Sequence, residues 1–113
     1  MRTKGRPKKY RLIKVDPKIS QFSPRGKPGR PDEADLNMDG FEAVRLADLV
    51  GLSQKEAAKS MRVSQQTFSR ILRKAHRIIA EALVNGKIIR IQGGVYVIST
   101  RSNSPDKNKE DPA

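Results

Sequence analysis

Between Gln65 and Arg77 the chain carries Gln65, Gln66, Thr67, Ser69, Arg70, Arg73, Lys74 and Arg77, and no acidic residue. These side chains offer hydrogen bonds and positive charge, not nucleophile–base chemistry. Glutamine matches two edge groups of adenine and arginine two of guanine, each bidentate contact discriminating by roughly 1–3 kcal/mol. A solvated helix face without a ligand more often mixes in glutamate for ion pairs one turn apart. The pattern predicts a base-reading set of Gln65, Gln66, Thr67, Ser69, Arg70 and Arg73, with Lys74 and Arg77 turned toward phosphates.

Two other stretches add anion-binding chemistry. Ser53, Gln54 and Lys55 open a predicted helix, where free backbone N–H groups and the helix dipole favour a phosphate. Near the start, Lys4-Gly5-Arg6-Pro7-Lys8-Lys9 resembles an AT-hook. In that device proline holds the backbone extended, glycine permits close approach to a narrow minor groove, and the flanking cations follow phosphates. A purely electrostatic arm is the competing reading. Arg25-Gly26-Lys27-Pro28 is a weaker echo of the same pattern.

Charge placement agrees with both stretches. Residues 1–30 hold 11 lysines and arginines against one acid, Asp16, and so +10 of the chain's net +12. The remaining residues are nearly balanced. A polyanion is the partner such a layout selects, and nucleic acid is the commonest one. A membrane surface would attract the arm too, but no helix with bulky apolar anchors accompanies it.

Other chemistries find little support. With no cysteine there is no thiolate metal site, disulfide or thiol nucleophile. His76 stands alone beside an apolar stripe and reads as a packed or half-exposed helix residue. Asp32, Glu33 and Asp35 lack a spacing that converges carboxylates on a cation, and read as a solvated lead-in that pairs with the arm. The expectation is therefore no catalysis, no metal and no cofactor. Tyr10, Phe22, Phe41, Phe68 and Tyr96 make no stacking platform of the kind single-stranded RNA needs. Neither a signal peptide nor a segment of membrane-spanning length is visible, so a cytoplasmic, nucleoid-associated protein is expected.

The elements that must position these residues are legible from their caps. Ser53 and Glu56 form a capping box, and Ala57, Ala58 and Met61 give the helix behind them a small apolar face. Arg62 and Val63 connect it to Ser64, a second cap. Phe68, Ile71, Leu72, Ala75, Ile79, Ala82 and Leu83 then recur at helical spacing as one buried stripe of a helix over 65–85, stopped by Asn85 and Gly86. Upstream, Asp39 with Glu42 predicts the start of a buried helix over about 40–50, polar only at Glu42, Arg45 and Asp48 and ended by Gly51 in a left-handed conformation. Residues 10–15 suit a short strand, and the Pro- and Gly-rich run 21–35 an extended connector. KIIRI (87–91) and VYVIS (95–99) flank Gly93-Gly94 and predict a hairpin, acting as a wing or pairing with 10–15.

The fold class expected is mostly α: a trihelical helix-turn-helix core with a C-terminal β-hairpin and a basic N-terminal arm. The chain is expected to divide into a basic, largely extended arm and connector (1–35), a helix-turn-helix domain with its hairpin (36–99) and a disordered tail (100–113). One such reader spans only a few base pairs, so a homodimer on a two-fold site is expected, joined through the hairpin and the end of the long helix.

Arg6-Pro7-Lys8-Lys9, Phe22-x-Pro24-x-Gly26, EAVRLADLVGLSQKEAAKSM (42–61), VSQQTFSRIL (63–72) and AEALVNGKIIRIQGG (80–94) carry a family resemblance. Over residues 6–96 the chain resembles uncharacterised protein family 0251, small prokaryotic proteins whose helix-turn-helix is similar to region four of bacterial sigma factors. The resemblance implies a DNA-binding regulator. Two positions depart from its pattern: Arg62 stands where glycine or asparagine is usual, and Gly40 where the first helix is usually more acidic. Some relatives carry an added C-terminal domain that this sequence lacks, so small-molecule sensing is expected to come from a partner. The function expected is sequence-dependent binding of double-stranded DNA in transcriptional regulation. The alternative is a module that docks on RNA polymerase or another protein and touches nucleic acid nonspecifically.

Overall fold

Three helices carry the body, and strands from both ends of the chain close over them. The computed structural model describes residues 10–26 and 29–99. The basic segment 4–9 and the tail 100–113 therefore lie outside the described residues. In chain order come β1 (Arg11–Ile13), β2 (Gln21–Phe22), β3 (Glu33–Leu36) and α1 (Met38–Val44), which continues as a π-helical segment (Arg45–Val50). After these follow α2 (Gln54–Met61), α3 (Gln65–Asn85), β4 (Ile88–Ile91) and β5 (Tyr96–Ile98).

The caps read from sequence at α2 and α3 form as expected. Ser53 Oγ accepts the Glu56 N–H at 3.1 Å, and the Glu56 carboxylate accepts the Ser53 N–H at 3.2 Å. Arg62 ends α2 at φ 59, ψ 43, the left-handed conformation that costs an L-residue with a Cβ on the order of 1 kcal/mol. Ser64 Oγ accepts the Thr67 N–H at 3.0 Å and starts α3, which runs 21 residues to Gly86 at φ 67.

Burial then fixes which faces look inward. Ala43, Leu46, Ala57, Ala58, Met61, Phe68 and Leu72 form a core among the three helices. A second core joins Ile13, Leu36, Met38, Ala75 and Ile91, packing the strands on α1 and α3. Leu83 departs from the expected stripe: it is 76% exposed, although Ala82 beside it is buried. The eight residues of α2 reach only about 12 Å along α3. Ala57, Ala58 and Met61 of α2 pack with Phe68 and Leu72 near the start of α3, and Leu83 lies about three turns beyond Leu72.

The first helix differs from expectation in three ways. Its N-cap is Asn37 in extended backbone with no side-chain cap; Asp39 instead forms an ion pair with Arg11 at 3.8 Å. Glu42, expected on a polar stripe, is fully buried. Its carboxylate accepts Arg45 Nε at 2.8 Å, Arg45 Nη2 at 2.9 Å and the Lys14 backbone N–H at 3.0 Å. These contacts satisfy a charge that would otherwise be prohibitive in a core. Finally, the last turns are π-helical, with Leu46 O accepting the Gly51 N–H at 3.0 Å. The wider i→i+5 turn breaks the 3.6-residue register, and Leu49 and Val50 end up 80% and 51% exposed. Gly51 is left-handed as expected, at φ 87.

Both C-terminal strands exist, but they do not form a hairpin. β4 is the centre of a three-stranded sheet, with β2 antiparallel on one edge and β3 parallel on the other. Both of its edges are occupied, so β5 has nowhere to pair beside it. Instead β5 lies parallel to β1, with Leu12 opposite Val97, in a separate two-stranded sheet. Gly93 and Gly94, at φ 86 and 95, carry the chain across the start of α1. A Cβ at Gly94 would stand 3.3 Å from that of Asn37, and the Gly93 carbonyl accepts the Met38 N–H at 3.0 Å. Parallel pairing needs a long crossover, and for β3 and β4 all three helices supply it. Strands of both sheets thus pack into one core against α1 and α3.

Candidate nucleic-acid interface

α3 is held from behind by Phe68, Leu72 and Ala75, all buried, so its opposite side is bare. Gln66, Arg70, Arg73 and Arg77 fall at i, i+4, i+7 and i+11 along that side and are all exposed. Lys74 lies a step around the helix, also exposed. Gln65 shares the register of Phe68 and Leu72, and is exposed only because the helix begins there. Ser69 is half-buried. Thr67 is half-buried too, with its hydroxyl 2.9 Å from Ser64 Oγ and its N–H on the same atom. Its side chain therefore serves the cap first.

Ser53, Gln54 and Lys55 are exposed at the start of α2, where the Ser53 hydroxyl is engaged with Glu56. Two acidic side chains adjoin the α3 row, Asp39 on the cavity it shares with Arg70 and Arg73 and Glu81 one turn beyond Arg77, and each is engaged by a cation, Arg11 and Lys87. His76 Nε2 meets Asp48 Oδ2 at 2.6 Å on the flank, with both side chains about half exposed. Glu81 accepts Lys87 Nζ at 2.7 Å, and that hydrogen bond, with the nearby charge of Lys87, holds its carboxyl below the ordinary 4.5. Glu33 accepts Arg90 Nε at 2.7 Å across β3 and β4, and Asp35 accepts Gln92 Nε2 at 3.3 Å. Among the described residues Glu33 and Asp35 thus engage Arg90 of β4 and Gln92 just after it; the expected pairing with the basic arm 4–9 lies outside the described residues. Among the described residues no three His, Cys, Asp or Glu side chains converge on a possible metal position, and no helix is long and apolar enough to cross a membrane.

A cavity of about 540 Å³ opens beside the α3 row, between that helix and the β3–α1 corner. Arg11 of β1 lines it together with Arg70, Arg73 and Lys74. The segment 4–9 therefore joins the body within a few residues of the exposed α3 cations. Pairing of the C-terminal strands with residues 10–15 is one expected role for them, but that the β1–β5 pair brings Arg11 beside the α3 cations is not legible in the sequence.

The family described as "Protein of unknown function DUF134" matches residues 1–99. The chain belongs to that family. Its DUF134 relatives include a UPF0251 protein of Prosthecochloris aestuarii, 52% identical over 82% of this chain and 61% of the relative. Another, from Caldicellulosiruptor bescii, is 50% identical over 81% of this chain and 64% of its own length. A UPF0251 protein of Thermoanaerobacter pseudethanolicus is 47% identical over 80% and 78%. This chain thus spans less than two thirds of the first two relatives. No solved structure gives a significant match. The DUF134 match takes in the helices, both sheets and the segment before β1, so the interface just described lies wholly inside it.

Proposed function

We propose that this chain binds double-stranded DNA in a sequence-dependent manner and acts as a transcriptional regulator in the cytoplasm, at the nucleoid. In this reading α2, the Arg62–Ser64 link and α3 are a helix-turn-helix, and α3 enters the major groove. Gln65, Gln66, Thr67, Ser69, Arg70 and Arg73 read bases, while Ser53, Gln54, Lys55, Lys74 and Arg77 hold phosphates. The observation that carries it is the exposed, acid-free row Gln66, Arg70, Arg73 and Arg77 on a helix whose other side is locked into the core. The position of Arg11 beside that row supports a role for the basic arm, Lys4, Gly5, Arg6, Pro7, Lys8 and Lys9, on phosphates or in the adjoining minor groove. Nine extended residues reach roughly 30 Å, enough to pass from one groove to the next. A homodimer supplies the second half-site, and the role is binding, not catalysis.

Selection of bound sequences from a random duplex pool, followed by gel shifts, tests the reading. Arg70→Ala is expected to lower the preference for the selected site, by roughly 1–3 kcal/mol at one base position. Lys8→Ala is expected to weaken all duplexes alike and to reduce the slope of affinity against salt by about one. Equal losses in both variants, or a pool that yields no preferred site, would sink it. The second reading, docking on RNA polymerase or another protein with nonspecific nucleic-acid contact, is favoured by the exposed Leu49 and Val50 of the π-helical segment. In that case the unselected pool is the expected outcome.

A further inference from the structure

The cavity beside α3 has two unlike surfaces. Its floor is apolar, made by Leu36 of β3 and by Ile71 and Ile78 of α3. Its rim is cationic, with Arg11, Arg70, Arg73 and Lys74 against one carboxylate, Asp39. Gly40 sets its depth: a Cβ there would stand 3.0 Å from Leu36 Cδ1 and 3.3 Å from Ala75 Cβ, so α1 and α3 meet this closely only because that side chain is missing. At about 540 Å³ the space falls within the range of small-molecule sites, which combine apolar walls with a few placed polar groups. A DNA phosphate, by contrast, is met on open polar surface and has no use for the Leu36–Ile71–Ile78 floor.

We infer that this cavity binds a small anion with a flat apolar body, a ring bearing a phosphate, sulfonate or carboxylate, and that its occupant competes with DNA. The ring lies on the aliphatic floor and the anionic group meets Arg11 and Lys74. Arg11 is held at 3.8 Å by Asp39, so Asp39 tempers the charge of the rim and is the group an incoming anion displaces. Arg70 and Arg73 belong to both the cavity rim and the outer row of α3, so an anion drawing them inward removes them from the groove. Sensing is then built into this unit itself. The binding site stands on the cavity alone; the competition rests on the DNA-reading role proposed above.

The test uses 1-anilinonaphthalene-8-sulfonate as the aromatic anion and inorganic phosphate as an anion without a ring, titrated into the full chain by fluorescence and by calorimetry. One sulfonate per chain is expected, with inorganic phosphate far weaker. Arg11→Gln should weaken the probe about tenfold, the scale of one charge-assisted hydrogen bond. Asp39→Asn should tighten it at one sulfonate per chain with its cooperative urea unfolding unchanged, which separates a tighter site from the added probe binding of a misfolded chain. Ile71→Phe should weaken it by filling the floor. Saturating probe should raise the dissociation constant for a selected duplex. Probe binding that is equal in the parent, Arg11→Gln and Asp39→Asn chains, or phosphate binding as tight as the sulfonate, overturns the site. A selected duplex that is unmoved by a bound probe overturns the competition. The reverse outcome, variant-sensitive probe binding with no duplex preference, upholds the site and removes the DNA reading.

Discussion

At the scale of single residues, Glu42 and Arg62 show how far side-chain identity can mislead or inform. Glu42 sits at a position that sequence spacing assigns to a helix surface, yet it is buried and takes three hydrogen bonds from Arg45 and the Lys14 backbone. It ties the turn after β1 to α1, a contact 28 residues apart in the chain that no local pattern could announce. Removing one partner of a buried ion pair strands the other, at a cost of about 3–5 kcal/mol. Glu42→Ala is accordingly expected to lose about 3 kcal/mol in urea unfolding, and Glu42→Leu no less while Arg45 remains; a loss below 1 kcal/mol would contradict the arrangement. Arg62 runs the other way. Its left-handed φ follows from the shortness of the link, and glycine relieves the Cβ strain there. Arg62→Gly is expected to raise stability by up to about 1 kcal/mol, partly offset by the greater freedom of the unfolded chain, with duplex binding unchanged.

At the scale of elements, the sequence is legible where structure is local and silent where it is not. Ser53 with Glu56, Ser64, Gly51 and Gly86 mark α2, α3 and the end of the π-helical segment through interactions spanning a few residues. The strands are visible as β-branched runs, and the expected pairing of the C-terminal strands with residues 10–15 is met by β5 on β1. The pairing of β4 with β2 and β3 is not visible, because it is decided by which edges the rest of the chain leaves open. Gly93-Gly94 carries a hairpin signature and serves instead as a crossing over Asn37. Much the same holds for the candidate interface: the row on α3 follows from helical spacing, whereas the place of Arg11 beside it depends on the long-range β1–β5 pairing. That sheet architecture has its own pH signature. The hydrogen bond from Arg90 lowers the Glu33 carboxyl below 4.5, so the β3–β4 tie is complete above that value and is lost as pH falls through the lowered one. The hydrogen bond to Glu81 raises Lys87 above 10.5, so the tie between α3 and the segment entering β4 is complete below that value and is lost as pH rises through the raised one. Unfolding midpoints in urea are expected to be flat between these limits and to decline beyond each. Glu33→Gln should flatten the acid limb; an acid limb of unchanged slope would show that the tie adds nothing.

At the scale of the whole molecule, the question is what meets the apolar surface at the far end of α3. Leu83 and Val84 are 76% and 83% exposed, and Phe22 of β2, 55% exposed, lines a cavity with Leu83. Three large apolar side chains in one neighbourhood mark an interface more often than chance exposure. A second copy suits it because the strip is self-complementary. Leu83 and Val84 lie together near the end of α3, so a two-fold axis there sets the same apolar side chains of two antiparallel copies against each other. Such a pairing leaves the amino-terminal halves of both α3 helices outward, free for half-sites about 34 Å apart. Sedimentation should then show a two-copy species whose share grows with concentration. Leu83→Lys combined with Val84→Lys should return a single copy with an unchanged helical circular-dichroism signal. On DNA, the same double variant should lose most of its affinity for a two-fold site while keeping that for an isolated half-site, since the reading row is untouched. A single copy in the parent chain at every concentration, or equal losses on both kinds of site, would place the partner of this surface outside the chain itself.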